Sequence, residues 1–165
     1  MTELDCQQIS EYFRRCYHAV DGLWFMKVEE KNGFDSALDV DREVWRVMPK
    51  IQARMIKSML KLNNGADALF EGLTTKLELE GFKFKAEKSK NGFRITITDC
   101  PWHNLMIKSG REKLSGIVGA TICGTEYPVW ISEFGEVMHF KIESQKCKES
   151  KCCTLNFERK PNQRY

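Results

Sequence analysis

The chain has 165 residues, 42% of them hydrophobic, so it is long enough to bury a core without disulfide bonds. Its 26 basic and 23 acidic side chains leave a net charge of +3 and form no long basic run, which argues against a nucleic-acid-binding surface. No segment reaches the roughly 18 uninterrupted apolar residues of a membrane span, and the polar N-terminus lacks an apolar signal core. We therefore expect a single cytoplasmic domain over residues 1–165.

The first part of the chain, residues 1–80, has the apolar spacing of helices. Apolar residues recur at three- and four-residue steps through residues 9–28, which predicts one helix face that ends at Asn32-Gly33. Asp35 is the expected N-cap of a second long helical segment, which Pro49 kinks or restarts. Residues 67–79 predict a further, shorter helix.

Residues 81–159 combine strands with helices. Phe82, Phe84 and Ala86 alternate with charged residues, and Asn91-Gly92 supplies a hairpin turn before a second alternating run. From residue 100 to residue 134 the spacing is helical again. We expect two helices there, separated where Ser115-Gly116 and Gly119 interrupt the pattern.

The last part predicts two more strands, at residues 137–142 and 154–157, followed by a loose tail at residues 160–165. Four strands with one polar face indicate an antiparallel sheet whose other face is covered by helices. The predicted class is α+β, with N-terminal helices packed on a four-stranded antiparallel sheet and two helices between the hairpins.

The seven cysteines are too few for a disulfide scaffold and odd in number, so clustered cysteines indicate metal ligands or reactive groups. Three of them, Cys147, Cys152 and Cys153, lie in the polar loop that joins the last two strands. Because a short loop brings its ends together, Cys147 and one of the adjacent pair can approach one ion. Cys153 is preferred because it shares a strand side with the apolar Leu155.

Zinc commonly takes four nitrogen, sulfur or carboxylate ligands, so the loop needs two more. The candidates are Cys123, in the second of the two helices, and Glu143, at the end of the preceding strand. The loop cysteines are also compatible with a redox-active thiol pair or with ordinary thiols. For Cys16, on the apolar face of the first helix, an ordinary core thiol is the favoured interpretation.

A second constellation, Asp99-Cys100-Pro101-Trp102-His103, joins a strand to a helix. Pro101 suits a first helical turn, and the helix dipole is expected to lower the pKa of a cysteine placed there. Cys100 and His103 are therefore candidates for nucleophile and base, or for a metal-binding pair; a cap and a surface histidine is the simpler interpretation. Trp102, Tyr127 and Trp130 either line a ligand pocket or belong to the core.

Four segments form a pattern that is shared with a known family: Leu23-Trp24, Ala37-Leu38-Asp39-Val40-Asp41-Arg42-Glu43-Val44-Trp45, Cys100-Pro101-Trp102 and Cys153-Thr154-Leu155-Asn156-Phe157. From about Leu23 to Phe157 the chain resembles proteins grouped with L-2-amino-thiazoline-4-carboxylate hydrolase. It implies a hydrolase acting on a C–N or C–S bond of a small heterocycle.

The last third is also similar to the 4-vinyl reductase domain of small-molecule sensors, in which a glutamate, a cysteine, a polar loop and a second cysteine precede a final strand. That similarity implies a zinc site formed by Cys123, Glu143, Cys147 and Cys153 beside a small-molecule pocket. It also implies a homodimer formed through N-terminal helices.

Three functions follow as hypotheses. The first is a small-molecule-binding, sensor-like protein with a zinc-type cysteine site. The second is a hydrolase that uses Cys100 and His103, or a metal-bound water. The third is an iron-sulfur protein that uses Cys100, Cys123, Cys147 and Cys153.

Overall fold

A computed structural model describes residues 3–148 and 150–159 of the chain. The chain divides into two compact units, Met1–Asp41 and Arg42–Tyr165. The predicted loose tail at residues 160–165 lies outside the described residues. No helix of the described part is long and apolar enough to cross a membrane.

The first unit contains α1 (Cys6–Asn32) and the beginning of α2 (Phe34–Val44). The predicted end of the first helix is confirmed, since Gly33 follows it with a φ of 85°. Asp5 is the N-cap. Its carboxylate accepts a hydrogen bond from the Gln8 backbone N–H, and the Gln8 side chain accepts one from the Asp5 backbone N–H, which together form a capping box. Asp35 lies in the first turn of α2 and not at its cap, because the helix begins two residues earlier than predicted.

The apolar face predicted for α1 is not part of the core. Phe13 is 65% exposed and Val20 is 66% exposed, and Ile9 and Leu23 on the same face are exposed as well. Cys16 is an exposed free thiol, so the prediction of an ordinary core cysteine is wrong. The spacing of the apolar residues predicts an apolar helix face, but it does not determine whether other residues bury that face.

The helices of the second unit are α3 (Met48–Leu60), α4 (Ala66–Leu79), α5 (Pro101–Lys108) and α6 (Glu112–Glu133). Pro49 lies in the first turn of α3, where the missing amide of proline costs nothing. The break between α5 and α6 lies at Ser109-Gly110, earlier than predicted, because Gly110 adopts a φ of 71°. Gly116 and Gly119 lie inside α6 and have another role.

The strands are β1 (Lys83–Ser89), β2 (Gly92–Asp99), β3 (Met138–Ser144) and β4 (Cys153–Arg159). They form one antiparallel sheet in the order β1-β2-β4-β3, so β4 lies between β2 and β3. The predicted α+β class with a four-stranded antiparallel sheet is confirmed. Placing β4 in the centre brings the ends of β2 and β4 side by side, and this arrangement builds the candidate site.

The core lies between one face of the sheet and the helices α4 and α6. Side chains at every second position of β2 and β4 point into it and pack on apolar residues of the two helices. The fully buried members with the largest side chains are Trp130, Tyr127, Phe134, Phe157, Leu69, Leu73, Leu77, Ile95 and Leu155.

Candidate functional site

Two cysteines approach each other because β2 and β4 are neighbours. Cys153, the first residue of β4, is paired with Ile97 of β2, and it shares the core side of the strand with Leu155. Cys100 follows Ile97 by three residues and is the N-cap of α5. Both cysteines pack against the hydrophobic core.

Two further cysteines are located at α6, Cys147 against its surface and Cys123 within it. A 3-10 turn, Lys146–Lys148, joins β3 to β4 and lies against this helix. A Cβ on Gly119 would lie 2.9 Å from the Cys147 sulfur, and a Cβ on Gly116 would lie 2.9 Å from the Cys147 carbonyl oxygen. Only glycine lets the turn approach this closely, and Cys123 lies one helical turn beyond Gly119.

The sulfur of Cys153 receives a backbone hydrogen bond. The Lys146 amide donates to it over 3.2 Å. Burial raises the pKa of the Cys153 thiol, and this donor acts in the opposite direction because an N–H dipole stabilises the thiolate. Amide-to-sulfur bonds of this kind are a common feature around metal-bound thiolates.

The four thiols interact electrostatically. Burial is the main cause that raises the pKa of Cys123 well above its ordinary value and that of Cys100 to about 11, and it also raises the pKa of Cys147. A charge on Cys153 raises the pKa of each of the other three. The prediction that the helix dipole lowers the pKa of Cys100 is therefore wrong, because burial outweighs the amides of α5.

Glu143 is not brought together with the cysteines. It accepts a 2.7 Å hydrogen bond from the Asn156 side chain and lies 3.5 Å from Arg94, on the sheet face away from the core. Cys153 faces the core, so the sheet separates it from Glu143. Cys152 has its sulfur 3.9 Å from the Thr154 hydroxyl, which leaves Cys153 as the inward member of the pair.

The four thiols lie in the same part of the fold, but they do not form a complete set of metal ligands. Within residues 3–148 and 150–159, no three His, Cys, Asp or Glu side chains are grouped closely enough to hold a metal ion. All seven cysteines are free thiols. A metal ion would therefore have to draw the sulfurs closer together than they lie in the structure.

Cys100 and His103, the candidate catalytic pair, each have other contacts in the structure. His103 is buried, and its Nδ1 lies 2.8 Å from the Ser115 hydroxyl of α6. The expectation of a surface histidine is therefore wrong, because α6 covers the ring. With a pKa of about 11, Cys100 is a protonated thiol at neutral pH and a weak nucleophile.

The three aromatic residues predicted as pocket or core belong to packed clusters. Tyr127 contacts the rings of Phe140 and Phe157, and Trp130 stacks on Phe134. Trp102 packs edge to face on Trp45 at 5.8 Å. The Trp130 indole N–H finds no hydrogen-bond acceptor among the residues the structure describes.

A buried ion cluster beside the cysteines was not predicted. Lys76 of α4 lies 2.6 Å from a Glu126 oxygen and 2.9 Å from a Glu80 oxygen, and all three side chains are buried. Lys76 and Glu80 continue the helical face of Leu69 and Leu73, so their spacing was a usable signal. Charge at this position influences the thiols, since Lys76 lowers the pKa of both Cys100 and Cys123.

An open groove lies on the other side of α6. It runs between α6 and β3, has a volume of about 610 Å³ and is lined mainly by apolar side chains. Gly124 opens it, because a Cβ there would meet nothing within 4 Å. His139 and Ser132 supply polar groups at its wall. Neither Tyr127 nor Trp130 lines this groove.

Comparison with known proteins identifies a family without assigning an activity. Neither the curated proteins nor the solved structures include a match to this chain. Residues 4–150 match a family described as a family of unknown function, DUF6125. That match spans both units and includes three of the four clustered cysteines, Cys100, Cys123 and Cys147. The chain belongs to the family of unknown function DUF6125.

Proposed function

We propose that this protein binds a zinc-type metal ion through Cys100, Cys123, Cys147 and Cys153, and that the ion fastens the Lys146–Lys148 turn to α6. The observation that carries the proposal is the placement of Cys147 over Gly119, together with the Lys146 amide bonded to the Cys153 sulfur. Glycines inside a helix are unfavourable unless another chain segment must come close. Here the segment that comes close carries a thiol.

The donor set fits a metal of the zinc type. Four thiolates satisfy the tetrahedral preference of zinc, and such closed sites stabilise a fold without performing catalysis. At neutral pH the raised pKa values keep these thiols protonated, so binding must release protons. Reduced thiols also require a reducing compartment, which accords with a cytoplasmic location.

The same four cysteines form the set that an iron-sulfur cluster requires, so the metal has to be identified directly. Protein purified without oxygen is analysed for metal content and by absorption spectroscopy. A colourless protein with zinc supports the proposal, and a brown protein with iron supports the iron-sulfur alternative. Protein that takes up neither zinc nor iron under reducing conditions would overturn both.

Matched serine variants then test the ligand set. We expect Cys147→Ser to reduce zinc content and lower the unfolding temperature, because it removes one of four ligands. Cys152→Ser is the control, since its sulfur faces Thr154, and it should retain metal. Equal zinc content in both variants would rule out Cys147 as a ligand. Glu143→Gln should likewise retain zinc.

Small-molecule binding is a second candidate function, favoured by the groove between α6 and β3. We expect anilinonaphthalene sulfonate, an apolar fluorescent anion, to bind there. Gly124→Leu places a side chain in the open space and should weaken binding, whereas Gly124→Ala should change it little. If the leucine variant binds the dye as tightly as the original chain, the groove is not the site.

The hydrolase hypothesis receives less support from the geometry. Cys100 is a protonated thiol, and the His103 ring is engaged by Ser115. The similarities to the aminothiazoline hydrolase group and to the 4-vinyl reductase domain stay predictions. Turnover of an aminothiazoline carboxylate that is lost in Cys100→Ser, with the fold retained, would favour the hydrolase over the binding protein.

A further inference from the structure

The exposed face of α1 has the spacing of a helix-packing seam. Steps of three and four residues place its members at the two inward positions of a heptad repeat over the first 18 residues of the helix. These positions hold no charged residue until Lys27. We call this set the α1 seam; its members are Cys6, Ile9, Phe13, Cys16, Val20 and Leu23.

Every member of the α1 seam is exposed in the single chain. Phe13, Val20 and Leu23 each keep more than half of their surface accessible, and both cysteines are exposed thiols. Tyr12 and Trp24, which flank the seam, are also exposed. An apolar stripe of this length on one 27-residue helix is larger than scattered surface hydrophobics explain.

From this pattern we propose that the α1 seam binds the α1 seam of a second copy of the chain in antiparallel orientation. In an antiparallel pair, residues whose numbers add up to 29 lie opposite each other. Phe13 then faces Cys16, Ile9 faces Val20 and Cys6 faces Leu23. A large side chain meets a small one at the centre, as close packing between helices requires.

The charged residues at the ends of the α1 seam favour the antiparallel orientation. Lys27 at the end of one seam lies beside the acidic start of the other helix, where Glu3 and Asp5 are located. A parallel pair would place Phe13 against Phe13 and Lys27 against Lys27, which crowds the centre and opposes like charges.

The mass of the full chain in solution tests the pairing. We expect light scattering at about 50 µM to give twice the mass of one chain under reducing conditions. Val20→Glu should give a single chain with unchanged circular dichroism, because Val20 is exposed and its replacement leaves the monomer fold intact. Gln7→Glu adds the same charge to α1 away from the seam and should leave the dimer unchanged.

Orientation is tested by oxidising the Leu23→Cys variant and identifying the linked peptides. The antiparallel pair joins Cys6 to residue 23 of the second copy. Within one helix these positions are about 25 Å apart, so a bond between them has to link two chains. Links of residue 23 to itself would overturn the antiparallel arrangement. A monomeric original chain, or a Val20→Glu variant that remains dimeric, would overturn the seam itself.

Discussion

Gly119 shows how a single missing side chain positions a thiol. Replacing a helical glycine by alanine normally stabilises a helix by about 1 kcal/mol. At position 119 the added methyl would lie 2.9 Å from the Cys147 sulfur, so the Lys146–Lys148 turn would have to shift. We therefore expect Gly119→Ala not to show this increase in stability and to bind metal more weakly than the original chain.

Gly124 provides the comparison on the same helix, since its added methyl meets nothing within 4 Å. Gly124→Ala should therefore show the full helix stabilisation in urea unfolding. If Gly119→Ala and Gly124→Ala gain stability equally and retain metal, then the position of the Lys146–Lys148 turn against α6 does not require a glycine at position 119.

Lys76 is a residue whose loss should be costly, because it is the cation of a buried ion cluster. Lys76→Met leaves Glu80 and Glu126 buried without their cation, and we expect a loss of about 3–5 kcal/mol in the free energy of unfolding at neutral pH. Lys88→Met removes an exposed ion pair with Asp67 and should change little.

The cost of Lys76→Met should depend on pH. Burial raises the pKa of Glu126 above 4.5, and Lys76 opposes that rise. Without Lys76, the Glu126 carboxyl group holds its proton more tightly in the folded state than in the unfolded chain. Protonation then favours folding below the raised pKa, and the benefit disappears as the pH rises through it. Urea unfolding at about pH 5 should therefore show a smaller loss than at about pH 7.5.

At the scale of elements, the β1–β2 hairpin depends on Gly92. This residue has a φ of 159°, and a Cβ there would lie 1.9 Å from the Phe157 carbonyl oxygen of β4. Gly92→Ala should separate the two central strands and destabilise the protein by about 1–3 kcal/mol in urea unfolding. Gly110→Ala has open space around it and tests backbone strain alone, so its smaller cost is the control.

The elements themselves were largely predictable from the sequence. Twofold alternation around Asn91-Gly92 and in the last two strands identified the sheet correctly, because alternation is a local property. The break at Ser115-Gly116 was predicted wrongly. A glycine commonly interrupts a helix, whereas Gly116 makes room for a turn that is distant in the sequence.

The candidate site was also predictable in part, because some of its features follow from local sequence patterns. Clustering in one loop makes Cys147, Cys152 and Cys153 candidates, and the strand side that Cys153 shares with Leu155 predicts that it faces the core, as it does in the structure. The alternation of β3 groups Glu143 with Lys141 on the outer face, so the strand pattern already argued against it. The approach of Cys100 was not predictable, because it depends on β4 lying next to β2.

At the scale of the whole molecule, a metal held by four elements should couple binding to folding. Zinc should raise the unfolding temperature, by an amount that increases with zinc concentration. The effect should be larger at about pH 8 than at about pH 6, because zinc binding releases protons from thiols whose pKa is raised, and a lower proton concentration favours that release. Differential scanning calorimetry measures it, and Cys147→Ser should show a much smaller increase.

The central position of β4 also sets an order of events during synthesis. The side chains of Arg94 and Asn156 are hydrogen bonded across the sheet although 62 positions separate them in the chain. Until Cys153–Arg159 leaves the ribosome, the β1–β2 hairpin has no neighbour on its inner side and α6 has no complete sheet to cover. The nascent chain thus carries an open apolar surface until β4 completes the sheet, and pairing of strands so distant in the sequence is expected to be slow.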